Sequence, residues 1–150
     1  MTEEYRPHSS GDKTAEATKP AYQKTTQDIE IRVEPHYLTE QSSPSDDHYV
    51  WAYHVKIINN SDETVQLLSR YWKITDARGI HQEVEGDGGV GEQPIIAAGA
   101  SYEYTSGTPL STPSGFMLGH YNMMSDKRGM FIAEVPAFSL DSPFTDHILH

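Results

Sequence analysis

From Tyr49 to Ile57 the apolar residues Tyr49, Trp51, Tyr53, Val55 and Ile57 fall at every second position, with His54 and Lys56 between them. Successive side chains of a strand point to opposite faces, so this spacing lines all five along one face, whereas a helix would spread them around its circumference. The same period recurs at Ile29, Ile31 and Val33 up to Pro35, which marks an edge or an end because it cannot donate to a ladder. The run from Val65 to Thr75 is rich in β-branched and aromatic residues but breaks alternation at Leu67 and Leu68, as a strand with a bulge or with two covered faces does. His81 to Glu85 reads as a short strand with Val84 on one face and His81, Glu83 and Glu85 on a wet, charged one. After a glycine-rich loop and the pair Ile95 and Ile96, alternation returns at Tyr102 and Tyr104. Met117, Gly119, Tyr121 and Met123 then share one face, and Phe131, Ala133 and Val135 alternate until Pro136, beyond which Phe138 and Leu140 continue. Turn signals at QSSPSDD, Asn59 to Asp62 and Asp76 to Gly79 separate these segments. About seven strands without an amphipathic helix predict an all-β, immunoglobulin-like or fibronectin type III-like β-sandwich, with a closed barrel as the alternative.

The first 24 residues contain no Leu, Ile, Val, Phe or Trp, and their four acids and four bases cancel, so little is available to offset the entropy of ordering them. We therefore expect a flexible N-terminal tail over 1–24, a folded domain over 25–140 and a C-terminal tail over 141–150. Of 22 acids and 11 bases in the chain, the excess that gives a formal charge of -11 lies wholly in residues 25–150. Such a domain repels phosphate backbones, so no nucleic-acid partner is expected. The absence of cysteine removes disulfides, thiolate metal sites and thiol nucleophiles from consideration. The N-terminal MTEEYRPHSSGDK lacks the apolar run of a signal peptide, and no stretch of about 18 apolar residues occurs, so the expectation is a cytoplasmic protein without membrane insertion.

Two local patterns carry candidate chemistry. In GDGGVG, Gly86, Gly88 and Gly91 satisfy the G-x-G-x-x-G string that lets a backbone approach a pyrophosphate, and Gly89 is an additional glycine. In a dinucleotide fold that string opens a helix whose amides face the phosphates; here Glu92, Gln93 and Pro94 lead into no helical pattern. Glu85, Asp87 and Glu92 repel an anion unless a divalent cation such as Mg²⁺ or Co²⁺ bridges them to it, and a demanding turn between strands explains the glycines without any ligand. The second pattern is His81, Glu83 and Glu85 with Asp87 just beyond, a donor set that suits a divalent cation. Same-face neighbours on a strand stand roughly 7 Å apart, wide for ligands converging on one ion, so a solvated face is the simpler reading. No H-E-x-x-H pair and no nucleophile elbow occurs, so no catalytic residue is assigned and no enzyme is expected. Trp51, Tyr53, Tyr71, Trp72, Tyr102, Tyr104 and Tyr121 lie on predicted strands, where core packing is the leading role and any exposed subset points to recognition.

Taken together, VEPHYL, YVWAYHVKIINN, VQLLSRYWKITDARG, VEGDGGVGEQPII, SYEYTSGTPLSTPSG and FMLGHYNM resemble the bacterial ApaG family, also called CorD, over roughly residues 25–140. The resemblance implies a fibronectin type III-like sandwich, in agreement with the periodicity. It also implies an association with cobalt resistance and magnesium efflux, and a kinship with domains of eukaryotic F-box proteins and of a polymerase-interacting protein. The family's glycine segment, proposed to recognise pyrophosphate, falls on Gly86, Gly88 and Gly91. Two functions follow as expectations. The first is a non-catalytic module contacting an unidentified protein partner through loops or a sheet edge, with an indirect effect on cation tolerance. The alternative is nucleotide or pyrophosphate binding by the glycine loop, assisted by a divalent cation.

Overall fold

A computed structural model describes residues 21–89 and 91–144. Among them are nine strands and no α-helix: β1 (Tyr22–Thr26), β2 (Ile29–Tyr37), β3 (Tyr49–Asn59), β4 (Val65–Asp76), β5 (His81–Asp87), β6 (Ile95–Ile96), β7 (Ser101–Leu110), β8 (Ser114–Ser125) and β9 (Gly129–Asp141). They form two antiparallel sheets, ordered β1-β2-β3-β7 and β5-β4-β8-β9, with the short β6 paired to β4. The predicted sandwich is therefore what forms, and the barrel alternative is set aside. β1 and β6 are the strands beyond the seven expected.

The inner faces carry the residues that alternation selects. Ile29, Ile31 and Val33 of β2 and Trp51, Tyr53, Val55 and Ile57 of β3 meet Trp72, Met117, Tyr121 and Met123 of the opposite sheet, all buried. Trp72 sits at the centre, with ring centroids 5.3 Å from Tyr53, 6.1 Å from Tyr121 and 6.0 Å from Phe138 in edge-on geometries that aromatic quadrupoles favour. Both predicted irregularities exist. The β4–β8 register slips between Leu67 and Ser69, so the buried series changes from Val65 and Leu67 to Arg70, Trp72 and Ile74. The β8–β9 register slips between Met117 and Gly119, and Pro136 falls where Val135 gives way to Phe138 on the buried face.

The strands extend past the expected domain limits at both ends. Tyr22, Gln23 and Lys24 belong to β1 and pair with Val33, Arg32 and Ile31. Tyr22 packs its ring 5.9 Å from Phe138, so one tyrosine supplies the burial that the apolar-poor segment lacked. β1 also shields the free side of β9, since the Glu134 amide donates to Thr26 Oγ1 at 3.2 Å. At the other end Asp141 still belongs to β9, Ser142 is buried, and Phe144 sets its ring 6.3 Å from Tyr49. Residues 1–20 and 145–150 of the predicted tails lie outside the described residues. Among the described residues no helix is long and apolar enough to cross a membrane.

Candidate functional site

The position of the glycine loop follows from the β4 bulge. β5 covers Ser69 to Thr75 along one side of β4, and β6 covers Val65 and Gln66 along that same side. The chain between β5 and β6 must therefore step over the bulge at Leu68 without leaving the edge. It does so by hydrogen bonding to the bulge: the Gly88 amide and Gln93 Nε2 both donate to the Leu68 carbonyl, at 2.8 and 2.9 Å, and the Leu67 amide donates to Pro94 O at 3.0 Å. Gly89 donates to Glu92 O at 3.3 Å and Gly91 to Asp87 O at 3.0 Å. Three amides that a pyrophosphate cradle would need are thus committed to carbonyls of the chain itself.

Packing accounts for the glycines as well. A Cβ on Gly86 would lie 2.7 Å from the Arg70 guanidinium, which the bulge has turned inward and which donates to Asp87 O at 2.8 Å. A Cβ on Gly89 would lie 2.8 Å from the Tyr104 ring. Gly88 combines a φ of +57° with a backbone contact to Glu92 that admits no side chain, and Gly91 has a φ of +101°. No helix follows Gly91; Pro94 leads directly into β6.

His81, Glu83, Glu85 and Asp87 are exposed on β5 as read from the sequence, opposite Thr75, Lys73, Tyr71 and Ser69. The strand holds them in a row, and among the described residues no three His, Asp or Glu side chains come together as a metal site. A cleft of about 390 Å³ opens beside His81, bordered by His48 and Leu110. Its Asp76 carboxylate is occupied in shaping the β4–β5 turn, where Oδ1 accepts from the amides of Arg78 and Ile80 at 2.8 and 3.0 Å. His54 bridges strands on the other sheet, with Nδ1 2.8 Å from Thr105 Oγ1 and Nε2 2.8 Å from Glu103 Oε1.

The outer face of the β5-β4-β8-β9 sheet is unlike an ordinary wet face. Phe116 (44 % exposed), Leu118 (36 %) and Met124 (38 %) of β8 and Met130 (61 %) and Ile132 (45 %) of β9 all point outward. Met124 lies opposite Met130, and Ile132 opposite Asn122. Between the two apolar ends His120 stacks on Tyr71 with centroids 5.1 Å apart. One row crosses all four strands through that stack, running Glu85, Tyr71, His120, Glu134, so the apolar stripe carries a carboxylate on each side. Burial, followed by the charge and hydrogen bond of Glu83, raises the Tyr71 phenol above its ordinary pKa.

Reading alternation for the buried set alone overlooked these residues. The signal was present in FML, NMM and MFI, where an apolar residue stands next to one already assigned to the core, giving β8 and β9 two apolar faces.

The sequence pattern of the ApaG domain matches residues 39–125. Protein ApaG of Paramagnetospirillum magneticum is 59% identical over 122 residues, covering 81% of this chain and 94% of that protein. Protein ApaG of Parvibaculum lavamentivorans is 55% identical over 129 residues, covering 86% of this chain and 99% of its own length. A crystal structure from Bordetella pertussis superposes with a TM-score of 0.75 at 42% identity, covering 85% of this chain and 98% of that one. With a matching domain pattern, matching whole-length relatives and a matching fold, the chain belongs to the ApaG family.

Proposed function

We propose that this domain is a non-catalytic protein-interaction module whose contact surface is the outer face of the β5-β4-β8-β9 sheet. The observation that carries the reading is the stripe of Phe116, Leu118, Ile132, Met130 and Met124, five large apolar side chains left in water on one face. The association of the family with cobalt resistance and magnesium efflux is then indirect and runs through the partner. Free strand edges are the less favoured surface: β5 carries Glu83, Glu85 and Asp87, charges of the kind that discourage strand addition.

The test is capture of partners by the full chain at several salt concentrations, beside the variant Met130→Lys/Ile132→Lys. Both positions are exposed, so each substitution should change stability by no more than about 0.5 kcal/mol, which thermal unfolding checks. The expected result is a stoichiometric partner held by the wild type and lost by the variant. Absence of any such partner at every salt concentration overturns the proposal, as does equal retention by both proteins.

The same reading predicts how the glycine loop responds to nucleotides. Because the Gly88, Gly89 and Gly91 amides already donate within the chain, their resonances are expected to stay in place when ATP or a diadenosine polyphosphate is added to millimolar concentration, with or without Mg²⁺ or Co²⁺. Saturable shifts at Gly86 to Gly91 would instead support the nucleotide or pyrophosphate alternative, with Asp87 or Glu85 reached through the metal.

A further inference from the structure

From the same outer face we infer that the partner segment is a cationic amphipathic α-helix, an inference that rests on the interaction-module reading and gives its partner a chemistry. β4 and β8 are paired on both sides, so the middle of the face presents side chains and no free ladder groups. A segment lying there must satisfy its own backbone, and a helix does so while offering one apolar stripe to a sheet. From Phe116 to Met124 the apolar stripe runs about 26 Å at the usual strand rise. A helix of roughly 17 residues has that length.

Charge selects the sign of the flanks. On the β5 side lie the exposed carboxylates of Glu83, Glu85 and Asp87, with Lys73 opposite Glu83; on the β9 side lies exposed Glu134. Neighbouring strands are about 4.8 Å apart, so a helix about 10 Å wide centred over β8 has Glu134 of β9 at one margin and carries long side chains on its other flank towards the β5 acids, about 9.6 Å from β8. Lysines or arginines there gain partners, whereas acidic flanks meet like charge. The stacked rings of Tyr71 and His120 fill the centre of the stripe, and beyond them the Asn122 amide is held by Ser69 Oγ at 2.8 Å, so its Nδ2 has a partner on the sheet itself.

The probe is a synthetic 18-residue Leu/Lys peptide with a helical apolar stripe. It is compared with its Leu/Glu counterpart and with a scrambled Leu/Lys peptide of the same composition, each titrated into the isotope-labelled full chain. The Leu/Lys helix is expected to shift amides of β4, β8 and β9 and to bind at least about tenfold more tightly than either control, a difference of about 1.4 kcal/mol. Leu118→Ser/Ile132→Ser, which leaves the net charge unchanged, should weaken binding about tenfold. Glu85→Gln/Glu134→Gln should weaken it severalfold and flatten its dependence on salt. Equal binding of the scrambled peptide, shifts confined to the β5 and β7 edges, or indifference to Leu118→Ser/Ile132→Ser would each overturn the inference. If the Leu/Lys helix fails while the captured partner is still lost on Met130→Lys/Ile132→Lys, the helix is wrong and the interaction module stands. If capture fails as well, both fall.

Discussion

Asn59→Asp is expected to cost about 4 kcal/mol of folding stability and to lower the unfolding midpoint by about 10 °C. Asn59 is completely buried where β3 ends. Its two Nδ2 hydrogens are shared among the carbonyls of Glu63 at 2.8 Å, Ile96 at 3.0 Å and Ala97 at 3.2 Å, while Oδ1 accepts from the Ser61 amide at 3.0 Å and the Ser61 hydroxyl at 2.6 Å. One amide side chain thereby fastens the β3–β4 turn to the segment that follows β6. The effect reaches further through Glu63, whose carboxylate accepts from Ser125 Oγ and, at 3.1 Å, from Arg128 Nε. Arg128 in turn donates to Gln27 Oε1 at 2.8 Å, so the β1–β2, β3–β4 and β8–β9 turns are joined at one end of the sandwich. A carboxylate at position 59 turns an acceptor towards three carbonyl oxygens; Ala97 O keeps the Ala100 amide at 2.9 Å and Glu63 O the Ser61 hydroxyl at 3.2 Å, but all three lose the Nδ2 donor and face a buried negative charge instead. Asn60→Asp is the control, because Asn60 is exposed and uses only its backbone amide, which donates to Asp28 O at 2.9 Å. Urea unfolding of the two variants decides the matter: a midpoint for Asn59→Asp within error of that for Asn60→Asp would remove Asn59 from this role.

The same residue indicates what could be read from the chain alone. As part of Asn59 to Asp62 it was legible as a turn, because turn chemistry is local. That its amide would reach Ile96 and Ala97 was not, because this contact depends on β6 returning to the edge of β4. The strands followed from period two, and the Leu67 and Leu68 break foretold the β4 bulge, since side-chain direction on a strand is set by neighbouring residues. The bulge's consequence for function lay beyond that reach. By turning Arg70 inward and freeing the Leu68 carbonyl, it makes GDGGVG a bridge between two strands on one edge, while the string alone reads equally well as a phosphate loop. Tyr22 was missed for a related reason: a segment poor in apolar residues is ordered by one ring whose contact, Phe138, lies at the far end of the chain. The outer stripe is masked in the sequence, because the alternation that places Met117 and Tyr121 in the core assigns Phe116 and Leu118 to the face that is ordinarily polar.

Gly119→Ala is expected to cost about 3 kcal/mol, although it adds one methyl group. Gly119 lies on the buried face of β8 opposite Trp72, where a Cβ would overlap the Tyr71 carbonyl oxygen and stand 3.0 Å from Trp72 Cε3. The oxygen is backbone in the centre of the sheet, and the indole is wedged against Tyr53, Tyr121 and Phe138, so neither yields without disturbing the core. Relief requires β8 to move away from β4 beside the point where its register with β9 already shifts. Leu118→Ala, one residue away on the exposed face, deletes three carbons where Gly119→Ala adds one, yet should cost less than about 1 kcal/mol. Near-ultraviolet circular dichroism separates the two, because only Gly119→Ala displaces Trp72; an unchanged tryptophan signature with wild-type stability would contradict the packing argument. Gly119 also lies between Leu118 and His120, so the close approach of β8 to β4 holds Tyr71 against His120 on the outside as it holds Trp72 on the inside. Gly119→Ala should therefore weaken binding of the Leu/Lys helix even under conditions where most molecules remain folded. Leu118→Ala should weaken it with the core intact, so comparing the two distinguishes loss of the sheet's geometry from loss of a contact.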